Sequence, residues 1–195
     1  MITALHGFLG LPSDWSFLGD VRAVNLWREE IPREGDVLLG YSMGGRLALR
    51  ALLDGARYRK AVIVSAGIDR TEPSPWAERF ANEPWDELMA AWHAQPIFGG
   101  HRVARREEDF DRSALVRALN DWSAAVLPAP ELERIEIPVL WIAGERDLKY
   151  VEIAQRAASR TKHAELWIAP GAGHRVPWER PEAFAARLRE FAAAQ

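Results

Sequence analysis

The sequence contains no cysteine, which excludes a disulfide frame, a thiolate zinc site, an iron–sulfur cluster and a cysteine nucleophile. Lysine is nearly missing as well. With 22 arginines against three lysines, an arginine at any one surface position carries little information. Neither charge sign dominates: 25 basic and 28 acidic side chains leave a net charge of -3, and no basic surface is available for nucleic acid or an anionic membrane. Long apolar runs are absent too, none reaching the ~20 residues that cross a bilayer. The opening Met1–Gly7 has no basic segment leading into an apolar one, so no export signal is expected. These absences predict a soluble, cytoplasmic chain without nucleic-acid or membrane partners. What is present, 48% hydrophobic and 27% charged residues in 195, is the composition of one compact domain with a substantial core.

Short apolar runs alternate with helical patterns, the signature of βαβ units and a parallel sheet covered on both faces. Six strands are predicted, over Ile2–Leu5, Val21–Trp27, Asp36–Tyr41, Lys60–Ser65, Pro138–Ala143 and Glu165–Ala169. Helices are predicted over Met43–Leu53, Glu152–Thr161 and Pro181–Ala194. Between Gly67 and Arg134 the strand signal vanishes, and Trp76, Phe80, Trp85, Leu88, Met89 and Trp92 recur at intervals of three and four. That stretch reads as a helical insertion after the fourth strand, with core 1–66 and 135–195 and a lid over 67–134. Its tryptophans (Trp76, Trp85, Trp92 and Trp122) are expected mainly to fill the insertion's own core. The insertion itself would overhang the carboxyl ends of the strands, where open α/β sheets bind ligands.

Gly40-Tyr41-Ser42-Met43-Gly44 lies where an apolar strand gives way to a helical pattern, the context in which G-x-S-x-G forms a nucleophile elbow. A serine hydroxyl becomes reactive only when an imidazole takes its proton and a carboxylate orients that imidazole. Two later strands run into Gly144-Glu145-Arg146-Asp147 and Pro170-Gly171-Ala172-Gly173-His174. Asp147 and His174 therefore leave the same sheet edge as Ser42. Backbone N–H groups of Phe8, in His6-Gly7-Phe8-Leu9-Gly10, and of Met43 are the candidates for an oxyanion hole. His6 reads as a structural hydrogen-bonding residue rather than a catalytic one. Arg46, one helical turn after Ser42, is placed to clamp a carboxylate, although the abundance of arginine leaves an ordinary surface role equally open. No phosphate loop, dinucleotide fingerprint, zinc-protease motif or EF-hand is present, so no cofactor or metal is expected.

These residues resemble the α/β-hydrolase superfamily, and more narrowly the 2-succinyl-6-hydroxy-2,4-cyclohexadiene-1-carboxylate synthases of menaquinone biosynthesis. The matching stretches are His6–Gly10 with Asp14-Trp15, Gly40–Leu49, Trp92 with Gln95–Phe98, Gly144–Asp147, and Gly171–His174 with Pro181–Phe184. The resemblance implies an α/β-hydrolase fold with a Ser42–Asp147–His174 triad. It also implies elimination of pyruvate from a succinylated enolpyruvyl cyclohexene carboxylate, with the serine as base and no acyl-enzyme. A substrate with three carboxylates gives Arg46 a reason to exist, and the resemblance adds Tyr41, Trp92, Arg106 and Arg70 as substrate-binding residues.

The sequence is shorter than the family pattern. Strands expected before His6 have no room, and the six-strand sheet is a reduced one. Only Arg28–Gly35, eight residues, separate the second strand from the third, too few for a crossover helix. A gap of ~20 Å against an extended reach of ~30 Å admits an extended link. One sheet face would then be partly uncovered and closed by Trp27, Ile31 or a second copy of the chain, a homodimer. Two other functions stay open: an ester or carbon–carbon hydrolase working through an acyl-enzyme, and a non-catalytic binding protein on the same fold.

Overall fold

A computed structural model describes residues 1–194. Six strands, β1 (Ile2–Leu5), β2 (Val21–Val24), β3 (Glu34–Tyr41), β4 (Arg57–Val64), β5 (Val139–Gly144) and β6 (Ala164–Ala169), form one sheet in the order β2-β1-β3-β4-β5-β6. Every pairing is parallel. Seven helices follow in chain order: α1 (Met43–Leu53), α2 (Trp76–Asn82), α3 (Trp85–His93), α4 (Arg112–Asp121), α5 (Leu148–Arg160), α6 (Val176–Glu179) and α7 (Pro181–Ala193). Among the described residues no helix is long and apolar enough to cross a membrane.

Alternation along the strands sends neighbouring side chains to opposite faces. Leu38, Ile63 and Trp141 point to the side where Leu47 and Leu49 of α1 and Ala154 and Ala157 of α5 pack. Leu39, Val62 and Leu140 point to the other, under Phe184, Leu188 and Phe191 of α7 and the buried Trp15. A third apolar cluster joins Phe80, Trp85, Leu88 and Leu115 of the segment between β4 and β5 to Leu9.

Strand β2 stops at Val24, short of the predicted Trp27, because Asn25 closes a turn. Its side-chain oxygen accepts from the Trp27 amide at 3.1 Å, and its carbonyl accepts from Arg28 and Glu29. The link from β2 to β3 has no helix. Trp27 and Ile31 pack against the α1 side of the core. The Trp27 indole donates to the Gly10 carbonyl at 2.7 Å, and Tyr58 donates to Pro32 at 2.8 Å.

Between β3 and α1 the chain turns through Ser42, at φ 52° and ψ -113°. This conformation is sparsely populated for any residue bearing a Cβ and is retained only where surrounding packing imposes it. Gly44 supplies part of that packing: a Cβ there would lie 2.5 Å from the carbonyl oxygens of both Leu5 and His6. The helix therefore rests directly on the end of β1. Gly44→Ala is expected to lower the unfolding free energy by ~1–3 kcal/mol, a drop of several degrees in thermal midpoint. An unchanged midpoint would mean that β1 and α1 are not held in this contact.

His6, at the end of β1, is fully buried. One ring nitrogen pairs with the Gly7 carbonyl at 2.8 Å and the other accepts from the Leu26 amide at 3.1 Å, so the neutral ring ties β1 to the link after β2. Burial pushes its pKa down from 6.5 to about 4. Below pH 6.5 the unfolded chain takes up a proton that the folded chain refuses, so this contribution is present at neutral pH and is lost as pH falls from 6.5 toward 4. The linkage amounts to ~3 kcal/mol. Urea unfolding across that window should show a steeper loss of stability for the natural chain than for His6→Asn; equal slopes would contradict the assignment.

Candidate active site

Three loops at the carboxyl edge of the sheet deliver the polar groups. Ser42 leaves β3, Asp147 leaves β5 and His174 leaves β6. Asp147 immediately precedes α5, where an aspartate usually caps the helix. Here it makes no such bond; its Oδ2 instead meets Nδ1 of His174 at 2.7 Å. That bond leaves the other imidazole nitrogen toward Ser42, 3.4 Å from Oγ. This separation is long for a hydrogen bond, as is common before a ligand tightens such a site. The imidazole and carboxylate are both buried. The rings of Tyr150 and Tyr41 lie 4.6 Å and 5.6 Å from that of His174 and hold it in place.

A cavity of about 500 Å3 opens over these groups, lined among others by Gly7, Phe8, Tyr41, Ser42, Met43 and His174. As the first residue of α1, Met43 has an amide with no acceptor inside its helix. The glycine-bounded turn carrying Phe8 is closed by a bond from the Gly10 amide to the Gly7 carbonyl at 3.0 Å. The structure thus brings Ser42, Asp147, His174, Phe8, Met43, Tyr41, Arg46 and Trp92 to one place. Of the four tryptophans between β4 and β5, Trp92 alone lines this cavity, with its ring 5.0 Å from that of Phe8 and 4.8 Å from that of Trp76. Trp76 and Trp85 join the third apolar cluster, and Trp122 packs on the α1 side of the sheet.

Arg106 and Arg70 are not brought to the cavity, which corrects both expectations. The Arg106 side chain is 71% exposed and pairs with Glu108 and Asp109 at 2.5 and 2.8 Å. Arg70 is exposed and donates to the Ala125 carbonyl at 2.7 Å. Residues 101–106 carry no regular secondary structure, and half-buried and exposed positions alternate along them. This two-residue period turns Arg105 inward and Arg106 outward. Arg105 lines the cavity and pairs with Asp14 at 2.6 Å, both side chains being nearly buried.

Two further residues at the site had no signal in the sequence: Tyr150, on the first turn of a helix predicted to begin later and packed against the His174 ring, and Arg175, directly after His174, which lines the cavity. Burial pushes the Tyr41 hydroxyl's pKa up, against the pull of the nearby Arg175 guanidinium, so the phenol stays neutral. Burial lowers the pKa of Arg46, with Tyr150 partly opposing it. Its Nη2 donates to the Trp122 carbonyl at 3.2 Å, and its Nε is buried without a partner. No group of three or more potential metal ligands occurs among the described residues.

Comparison with known proteins agrees with the fold. Residues 4–187 match the model of the alpha/beta hydrolase family. The chain is 30% identical over 174 residues to 2-succinyl-6-hydroxy-2,4-cyclohexadiene-1-carboxylate synthase of Serratia proteamaculans, covering 79% of this chain and 66% of that protein. It is also 30% identical to a synthase of that name from Klebsiella pneumoniae, covering 97% of this chain and 92% of the relative over 240 aligned positions. Those 240 positions exceed the 195 residues here, so the relative carries internal segments that this chain lacks. Among solved structures, MenH from S. aureus superposes with a TM-score of 0.79 at 20% identity, covering 97% of this chain and 92% of that one. The chain belongs to the alpha/beta hydrolase family, within which it is similar to the 2-succinyl-6-hydroxy-2,4-cyclohexadiene-1-carboxylate synthases.

Proposed function

We propose that this protein eliminates pyruvate from a succinylated enolpyruvyl cyclohexene carboxylate, giving 2-succinyl-6-hydroxy-2,4-cyclohexadiene-1-carboxylate. The observation that carries the reading is the Ser42–His174–Asp147 array facing a cavity into which Arg46 presents a guanidinium with no carboxylate partner of its own. The synthase names of the relatives, some matched over most of their length, point the same way. In this reading residues 1–66 and 135–195 form the core of a single domain, and residues 67–134 are its lid.

Ser42 is the base. Its proton passes to His174, whose imidazolium is stabilised by the Asp147 carboxylate. The resulting alkoxide removes a proton from the ring carbon next to the succinyl carbonyl. That electron pair forms a ring double bond beside the succinyl group, the existing ring double bond shifts by one position, and the carbon–oxygen bond to the enolpyruvyl group breaks; the departing enolate takes the proton held on His174 to become pyruvate. The amides of Phe8 and Met43 stabilise negative charge that grows on the substrate's carbonyl oxygen. Arg46 and Tyr41 position the substrate, and Trp92 walls the ring side of the cavity.

Pyruvate release by the purified protein is expected to fall at least ~1,000-fold in Ser42→Ala. In Arg46→Ala, kcat/KM should fall ~30- to 1000-fold, equivalent to ~2–4 kcal/mol for a lost charge-assisted clamp. Arg106→Ala and Arg70→Ala, both outside the cavity, should stay within about threefold of the natural chain. Full activity of Ser42→Ala would remove the serine from the mechanism. Rapid turnover of a short-chain p-nitrophenyl ester without any pyruvate release would favour the hydrolase instead.

Fluorophosphonate labelling provides a check that needs no substrate. Ser42 should be labelled, and Asp147→Asn should slow labelling ~1,000-fold or more, because the imidazole loses the partner that fixes its tautomer. Ser65 shares the unusual backbone, at φ 46°, but is 2% exposed and should stay unlabelled. Labelling of Ser65 rather than Ser42 would contradict the assignment.

A further inference from the structure

Arg175 has no part in the chemistry proposed above, yet its side chain lines the same cavity while the residue is only 7% exposed. A guanidinium removed from water costs several kcal/mol unless it is paired. Among the described residues, however, no carboxylate forms an ion pair with it. Its Nη1 donates to the His101 carbonyl at 2.8 Å and approaches His101 Nδ1 at 3.3 Å. Its guanidinium carbon lies 4.1 Å from the centre of the Phe98 ring, and the Tyr41 hydroxyl is close by. All of these partners are neutral.

Glu179 is the nearest acidic candidate, but its carboxylate is used elsewhere. It accepts from the backbone amides of Gly173 and Arg175 and pairs with Arg146. Arg46 has the same deficit, with one carbonyl partner and an unpartnered Nε. Arg105 does not share it, since Asp14 neutralises it.

The cavity therefore holds two largely desolvated cations that the protein leaves uncompensated, delivered by different elements. Arg46 comes from α1 and lies near Tyr150, one of the two tyrosines against His174; Arg175 comes from the β6–α6 loop and lies near Tyr41, the other. We infer that Arg175 is a second carboxylate-binding residue, and that with Arg46 it makes this cavity selective for a ligand carrying two anionic groups on either side of the atoms nearest Ser42. The inference deepens the proposed function by assigning a further substrate carboxylate, and it rests on that reading only for the identity of the substrate.

Binding to Ser42→Ala tests it without turnover. The probe is succinylbenzoate, which carries one carboxylate on its ring and one on its chain, compared by calorimetry with its two monomethyl esters. Arg175→Gln in that background should weaken the diacid at least tenfold. It should change one monoester by less than threefold, and Arg46→Gln should spare the other monoester in the same way. Arg175→Lys should recover part of the loss. If Arg175 were merely a strut for the loop at His101, Arg175→Gln would weaken the diacid and both monoesters alike, and that result would overturn the inference. So would undiminished diacid binding by Arg175→Gln, or no diacid binding by Ser42→Ala itself. Pyruvate release is measured separately, so a chain that releases pyruvate but fails these tests loses only this inference.

Discussion

Everything at this site depends on one turn of backbone. At Ser42 the chain leaves the central strand β3 and enters α1 in a conformation that L-residues avoid. It is held there by close backbone packing at Gly40 and Gly44, where no Cβ could be accommodated. The strain is local, but its consequences are not. It puts the hydroxyl at the sheet edge, leaves the Met43 amide at the start of α1 without an intrahelical acceptor, and sets Arg46 one turn further along the same helix. Asp147 and His174 arrive from β5 and β6 because parallel strands all deliver their following loops to that edge.

The scaffold achieves this with little material. Its link from β2 to β3 lacks the usual crossover helix, and the aligned synthase from Klebsiella pneumoniae carries internal segments that are absent here. Trp27 does much of the compensating. Its ring packs against the sheet, against Phe8 and against Phe110, while its indole N–H is satisfied by Gly10. His6 completes the join by bonding the Leu26 amide through a ring that burial keeps neutral. The link is thus held by one large aromatic residue and two hydrogen bonds rather than by a crossover helix.

Much of this could be read from the sequence because its signals are strong ones. Apolar runs of four to seven residues between helical periods foretold the parallel sheet, and G-x-S-x-G at a strand-to-helix junction located Ser42. The misplacement of Arg106 arose because the signal there is a period of two in an irregular segment. Arg105 and Arg106 differ only in parity along that stretch, and nothing in the sequence says which faces inward. Arg175 was hidden for a similar reason. It lies in a loop beside a residue that had already drawn notice, in a chain where arginine is common. Tyr150 was missed because α5 begins at Leu148, four residues before its predicted start, so a helical position was read as a loop.

The charge pattern joins fold to function. A cavity walled largely by Phe8, Trp92, Phe98 and other apolar groups contains guanidinium groups that the protein does not neutralise, an arrangement suited to an apolar ring bearing carboxylates. The serine array beneath it is compatible with hydrolysis or with elimination, and the fate of water separates the two. The most direct measurement is therefore the reaction run in water labelled with heavy oxygen, with the ring product read by mass spectrometry. Elimination predicts pyruvate together with a cyclohexadiene product whose carboxylates carry no label. Label in a newly formed carboxylate, with its appearance dependent on Ser42, would contradict elimination and make this chain a hydrolase.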